Sequence, residues 1–222
     1  MSVTASSIVD WSAVDTVFVD MDGTLLDLAF DNFFWLELVP AHYAERHGLA
    51  PQAARDRLTS RFDAAAGTLS WYCLDHWTRE LDLDIRTLKR SHRHLIRFLP
   101  RAPEFLAAVR ARRKTVWLVT NAHRDTLRVK AEHTGVDRLV DSVVCSHDLD
   151  APKESREFWT ELSRRRPFDP ERTLLIEDSL AVLGAARAFG LQHTVAIRRP
   201  DSRLPARDIA AFLAVDGVAD LV

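Results

Sequence analysis

The stretch VFVDMDGTLLD, residues 17–27, decides how the rest of the chain is read. A run of apolar, β-branched residues ends on Asp20, and a second acid, Asp22, follows across Met21. Such a run fits a strand buried on both faces, as in a parallel sheet. Carboxylates this close raise one another's pKa, so a fold keeps both only where something compensates them. The strand predicts a sheet, and the acids at its end predict a site.

Four more runs of the same kind follow: TVWLVT (115–120), SVVC (142–145), TLLIED (173–178) and HTVAI (193–197). Helical patterns lie between them, among them PEFLAAVRARRK (103–114), ESREFWTELSRRR (154–166) and SLAVLGAARAFG (179–190), the last opened by a Ser179 cap and stopped at Gly190. Alternating strands and helices predict an α/β, doubly wound parallel sheet. The rhythm breaks once. Roughly a hundred residues separate the first strand from the second, where a crossover with its helix needs only about a dozen. That interval reads as helices near 30–47, 51–66, 70–82 and 85–98. The expected organisation is therefore a core of residues 10–27 and 100–222, with a helical cap domain inserted over 28–99. The insert carries ten of the nineteen aromatics, most of which a small helical bundle needs for its own core.

Composition narrows the partners. The chain has 222 residues, 47% hydrophobic and 28% charged, with net charge −2. This is an ordinary soluble composition with no global attraction to nucleic acid or membrane. Cys73 and Cys145 show no metal-type spacing and fit the reduced thiols of a cytoplasmic protein, Cys73 as a small buried hydrophobe. The opening MSVTASSIVDWSAVD lacks the basic and apolar regions of a secretory signal. SHRHLIR (91–97) and RRR (164–166) read as solvated helix faces.

In open α/β sheets, ligands bind beyond the carboxyl ends of the strands. Asp20 and Asp22 follow the first strand, Thr120 and Asn121 the second, Glu177 and Asp178 the fourth, and Lys153 lies in the loop after the third. Four carboxylates against one lysine must protonate or bind a cation, and an all-oxygen set favours Mg2+. With a metal present, one carboxylate of the first pair can attack phosphorus and the other can shuttle the proton. Thr120, Asn121 and Lys153 would hold phosphoryl oxygens, and Gly23 would let the backbone turn close to phosphate.

In this order, each after a strand, DMDGTL, VTN, PK and IEDS resemble the four motifs of the haloacid dehalogenase superfamily, and the insert resembles the helical cap found in one class of it. The resemblance implies an Asp20 nucleophile and an Asp22 acid/base. It implies phosphate binding by Thr120 and Lys153, and Mg2+ held by Asp20, the Asp22 carbonyl and Asp178, with Glu177 a direct or water-mediated ligand. DTVFVDMDGTLLDLAFDNFFW, LSWYCLDHW, LVTNAHRDTLRVKAEHTG and RTLLIEDSLAVLGAARAFG further resemble the superfamily's bacterial GMP/IMP nucleotidases, which implies a purine 5′-monophosphate substrate. Asp31, Asn32, Trp71 and Asp75 are then the expected substrate contacts in the cap. Asp22 argues against a dehalogenase, which needs only the first acid. A phosphonate-cleaving relative would want a cap lysine, and Lys89 reads as poorly placed for it. A phosphatase or phosphomutase of a small sugar phosphate remains the alternative. Oligomeric state is open.

Overall fold

The computed structural model describes residues 8–222; residues 1–7, which begin the stretch read against a secretory signal, lie outside the described residues. Six strands form one sheet: β1 (Thr16–Val19), β2 (Thr115–Thr120), β3 (Ser142–Cys145), β4 (Thr173–Glu177), β5 (His193–Ile197) and β6 (Leu213–Val215). They run in the order β3-β2-β1-β4-β5-β6, every neighbouring pair parallel. The order reverses at β1, so the mouth of the sheet opens there. Val17 stands opposite Val116 on one side and Leu174 on the other, which fixes the register of the central strands. The five expected strands are present. The three-residue edge strand β6 was not anticipated: Leu213 is exposed, so the strand lacks the continuous apolar run that marks the others.

Ten α-helices occur among the described residues. Between β1 and β2 lie α1 (Ala29–Phe33), α2 (Val39–His47), α3 (Pro51–Ala65), α4 (Leu69–Tyr72), α5 (Leu74–Leu81), α6 (Ile85–Ser91) and α7 (Ala102–Ala111). After β2 come α8 (Arg124–Thr134), α9 (Arg156–Arg165) and α10 (Leu180–Phe189). The helix expected over 30–47 is interrupted by a π-helical segment at Phe34–Leu38. Pro40 is the physical reason, since it has no N–H to give the preceding turn. The region 85–98 forms only α6 and a short 3₁₀ turn at Arg93–Leu95.

The strand pleat divides the core. Phe18 points to the face covered by α9 and α10 through Phe158, Trp159, Val182 and Leu183. Val17 and Val19 point the other way, into a cluster that continues through Phe30, Phe34, Phe62 and Trp77 of the insert. Within the insert Trp35, Phe62, Trp71 and Trp77 pack on one another, and this aromatic group is continuous with the cluster on that face of the sheet. Each such buried side chain contributes about 1.5–3 kcal/mol relative to exposure. Among the described residues no helix is long and apolar enough to cross a membrane.

Candidate active site

Asp20 leaves β1 with its N–H still bonded to Ile176 O at 3.0 Å, so the sheet itself aims the first acid. Thr120 is the last residue of β2 and Glu177 the last of β4. A cavity of about 340 Å³ opens over these ends, lined by Asp20, Asp22, Thr120, Asn121, Lys153, Glu177 and Asp178 from the core. From the insert it takes Asp31, Asn32, Trp35, Trp71, Tyr72 and Lys89. Its size suits a small-molecule ligand.

Lys153 organises the floor. Its ammonium donates to Asp20 Oδ1 at 2.5 Å, Glu177 Oε2 at 2.7 Å and Val119 O at 2.9 Å. Asn121 positions that lysine rather than facing the ligand alone: its Oδ1 accepts the Lys153 N–H at 2.9 Å and its Nδ2 donates to Glu154. Glu177 Oε1 accepts the N–H groups of Asp178 and Ser179. Both oxygens of Glu177 are thus engaged by protein, which makes it a holder of Lys153 and of the β4 exit.

Asp20, Glu177 and Asp178 each bring a carboxylate oxygen within 4.8 Å of the others, an all-oxygen set that can hold a cation. Burial, with repulsion from Glu177, raises the Asp20 pKa to about 8. Burial and neighbouring acids raise Glu177 and Asp178 to about 7. Burial also raises Asp22.

Gly23 holds this cluster together by having no side chain. Its φ is +83°, and a Cβ there would stand 2.8 Å from the Asp178 carboxyl carbon and 2.9 Å from Pro200. Gly23→Ala is therefore expected to cost about 1–2 kcal/mol of stability and to push Asp178 out of the acidic trio. Chemical denaturation reads the first effect and substrate turnover the second; a variant with unchanged midpoint and activity would remove this account.

The core and the insert each supply a buried lysine that the sequence count missed. Lys130 of α8, buried, donates at 2.5 Å to both Asp22 Oδ1 and Asp31 Oδ2. Lys89 donates to Asp31 Oδ1 at 2.7 Å and lies 4.7 Å from the Phe34 ring centre. Lys89, read as poorly placed, is in fact buried and lines the cavity. Burial alone would raise the Asp31 pKa, but Lys130 and Lys89 bring it down to about 2. The charge at the site is therefore five carboxylates against three lysines.

Of the expected substrate contacts, Asp31, Asn32 and Trp71 line the cavity and Asp75 does not. Asp75 points away on α5 and pairs with Arg86 of α6. Asn32 donates to Asp201 Oδ2 at 2.8 Å. Trp35 and Trp71, ring centres 6.1 Å apart, form one wall. Tyr72 ties the insert to the core by donating to Glu154 at 2.6 Å. Cys73, expected to be buried, is only half-buried.

A family model for haloacid dehalogenase-like hydrolases matches residues 14–190. The chain is 42% identical over 196 residues to the GMP/IMP nucleotidase YrfG of Escherichia coli (strain K12), covering 86% of each. Its fold is similar to a HAD phosphatase from Thermococcus onnurineus, with TM-score 0.78, 22% identity and 94% and 96% of the two chains covered. It is also similar to a putative β-phosphoglucomutase from Thermotoga maritima, with TM-score 0.64, 16% identity and the same coverage.

Proposed function

The chain belongs to the haloacid dehalogenase-like hydrolase family, and on that premise we propose a Mg2+-dependent phosphatase of purine nucleoside 5′-monophosphates, chiefly GMP and IMP. The observation that carries the chemistry is the convergence of Asp20, Asp22, Lys153 and Asp178 on one cavity. Residues 28–99 act as its cap and residues 10–27 and 100–222 as its catalytic core.

Asp20 attacks phosphorus through a carboxylate oxygen, and the ester P–O bond breaks. Asp22, whose burial favours the protonated form an acid needs, gives its proton to the leaving nucleoside oxygen. Water then attacks the phosphoryl group on Asp20 and loses its proton to Asp22, and phosphate departs. Lys153 and Thr120 hold the non-bridging oxygens. Asp20, Asp178 and the Asp22 carbonyl would hold Mg2+, which supplies the positive charge that phosphate and carboxylates share. Glu177 keeps Lys153 and the Asp178 amide in place.

Substrate choice falls to the insert, because the core handles a phosphoryl group that every monoester presents alike. Trp35 and Trp71 suit stacking on a base. Both oxygens of Asp31 are occupied by lysines, so Lys89 is the better candidate for the base edge. An ammonium donor suits the 6-oxo group common to GMP and IMP, and opposes the 6-amino group of AMP. The identity to a GMP/IMP nucleotidase supports the same choice. The two free thiols support a cytoplasmic setting.

A phosphate-release screen tests the reading. GMP and IMP should exceed AMP and small sugar phosphates in kcat/KM by tenfold or more, about 1.4 kcal/mol. Lys89→Met should narrow the GMP-to-AMP ratio, and Trp71→Ala should lower kcat/KM for every nucleotide. Sugar phosphates ahead of GMP by tenfold would overturn the nucleotidase reading and leave a phosphatase; phosphate retained on an isomerised sugar product would point to a mutase.

A further inference from the structure

Outside the acidic site, a second group of metal-ligating side chains comes together where the insert meets the core. Cys73 lies between α4 and α5, His123 at the start of α8, and His147 just after β3. Each brings one ligand atom within 4.8 Å of the other two. Three distant segments, one in the insert and two in the core, thus converge without any sequence spacing to announce them. Two details make this more than proximity. His147 Nε2 is buried with no hydrogen-bond partner, an unmet need that a protein rarely leaves unanswered. The two ring nitrogens of His123 each face a carboxylate at 3.8 Å, Nε2 toward Asp75 and Nδ1 toward Asp125. Nδ1 accepts the Asp125 backbone N–H at 3.2 Å, so Nε2 is the nitrogen left to ligate. On ligation the ring proton shifts to Nδ1, beside the Asp125 carboxylate, the usual outer support of a metal-bound imidazole.

We propose that Cys73, His123 and His147 form a site for a thiophilic divalent ion of the zinc class, which fastens the insert to the core. One thiolate and two imidazoles select such an ion over Mg2+, which prefers oxygen. Donor atoms around tetrahedral zinc stand about 3.3–3.8 Å apart, given bonds of about 2.0–2.3 Å, so small side-chain rotations close the trio. The Cys73 thiol releases its proton to solvent on binding, and the fourth position is open to water. The consequence follows from sequence neighbours. Trp71 and Tyr72 precede Cys73 and line the active cavity, and Asn121 and Ala122 precede His123 and line it too. An ion here pins the aromatic wall against the loop that positions Lys153, and slows the insert movement that substrate entry and product release need.

The test uses the full chain, first stripped of metal. Co2+ titration should produce a sulfur-to-cobalt charge-transfer band in the near ultraviolet at one ion per chain, and Zn2+ should abolish it. The band should persist in Cys145→Ser and in Asp178→Asn, and vanish in Cys73→Ser and His147→Gln. No band in the wild type, or one that survives Cys73→Ser, overturns the site. It is read without substrate, so it stands apart from the phosphatase proposal. In saturating Mg2+, Zn2+ should inhibit the wild type at least tenfold more strongly than Cys73→Ser; equal inhibition overturns the fastening role.

Discussion

Asp20→Asn is expected to lower turnover by about 10⁴-fold or more, about 5.5 kcal/mol of transition-state stabilisation, without unfolding the protein. The carboxylate oxygen is the atom that bonds to phosphorus, and an amide in its place is not a competent nucleophile. The stability side has a definite sign. Asp20 is buried, and burial with repulsion from Glu177 raises its pKa to about 8. A folded pKa above the unfolded value means that the ionised group weakens the fold progressively as pH rises from about 4 toward 8. Asparagine carries no such charge, and Lys153 keeps Glu177 and Val119 O as partners. Metal-free Asp20→Asn should therefore melt at or above the wild-type temperature at pH 7. Near-normal phosphate release would remove the nucleophile assignment, whereas lost activity with a lowered Tm would mean the variant had lost its fold rather than its chemistry.

What the sequence made legible follows from local physics. Asp20, Thr120 and Glu177 were readable because each ends an apolar strand whose pattern survives without knowledge of neighbours. The strand–helix alternation then placed them on one edge. Lys130 was not readable. It stands in LRVKAEHTG as an ordinary helical lysine, and only packing of α8 against the insert buries it between Asp22 and Asp31. Lys89 is the same case, sitting in a basic stretch that looks solvated. Asp75 failed in the opposite direction: it shares a short helix with Trp77, but Trp77 is buried and Asp75 turns to Arg86. The Cys73–His123–His147 trio had no linear signal, because its members come from loops whose meeting depends on how the insert docks. One signal for Lys130 was available in principle. The paired acids needed more positive charge than Lys153 alone supplies, and a second lysine had to come from somewhere.

Removing divalent cations is expected to silence the enzyme by about 10³-fold or more, with full recovery on adding Mg2+. Burial holds the pKa values of Asp20, Glu177 and Asp178 high, and Lys153 is the ammonium bonded to two of them. A phosphate dianion entering that pocket adds two more negative charges. At an effective dielectric near 20, two unit charges about 4 Å apart repel by about 4 kcal/mol, which alone approaches a thousandfold. Lys130 cannot relieve this, since Asp22 and Asp31 already hold it. Ca2+ should restore little, because its longer bonds and larger shell would displace Asp20 from the line of attack. Chelation also empties the proposed thiolate site, so Cys73→Ser is the control: it should be silenced and rescued by Mg2+ as the wild type is, which locates the requirement at the carboxylates. Undiminished phosphate release after exhaustive demetallation would mean that the three lysines suffice, and the metal would have no place in the reaction.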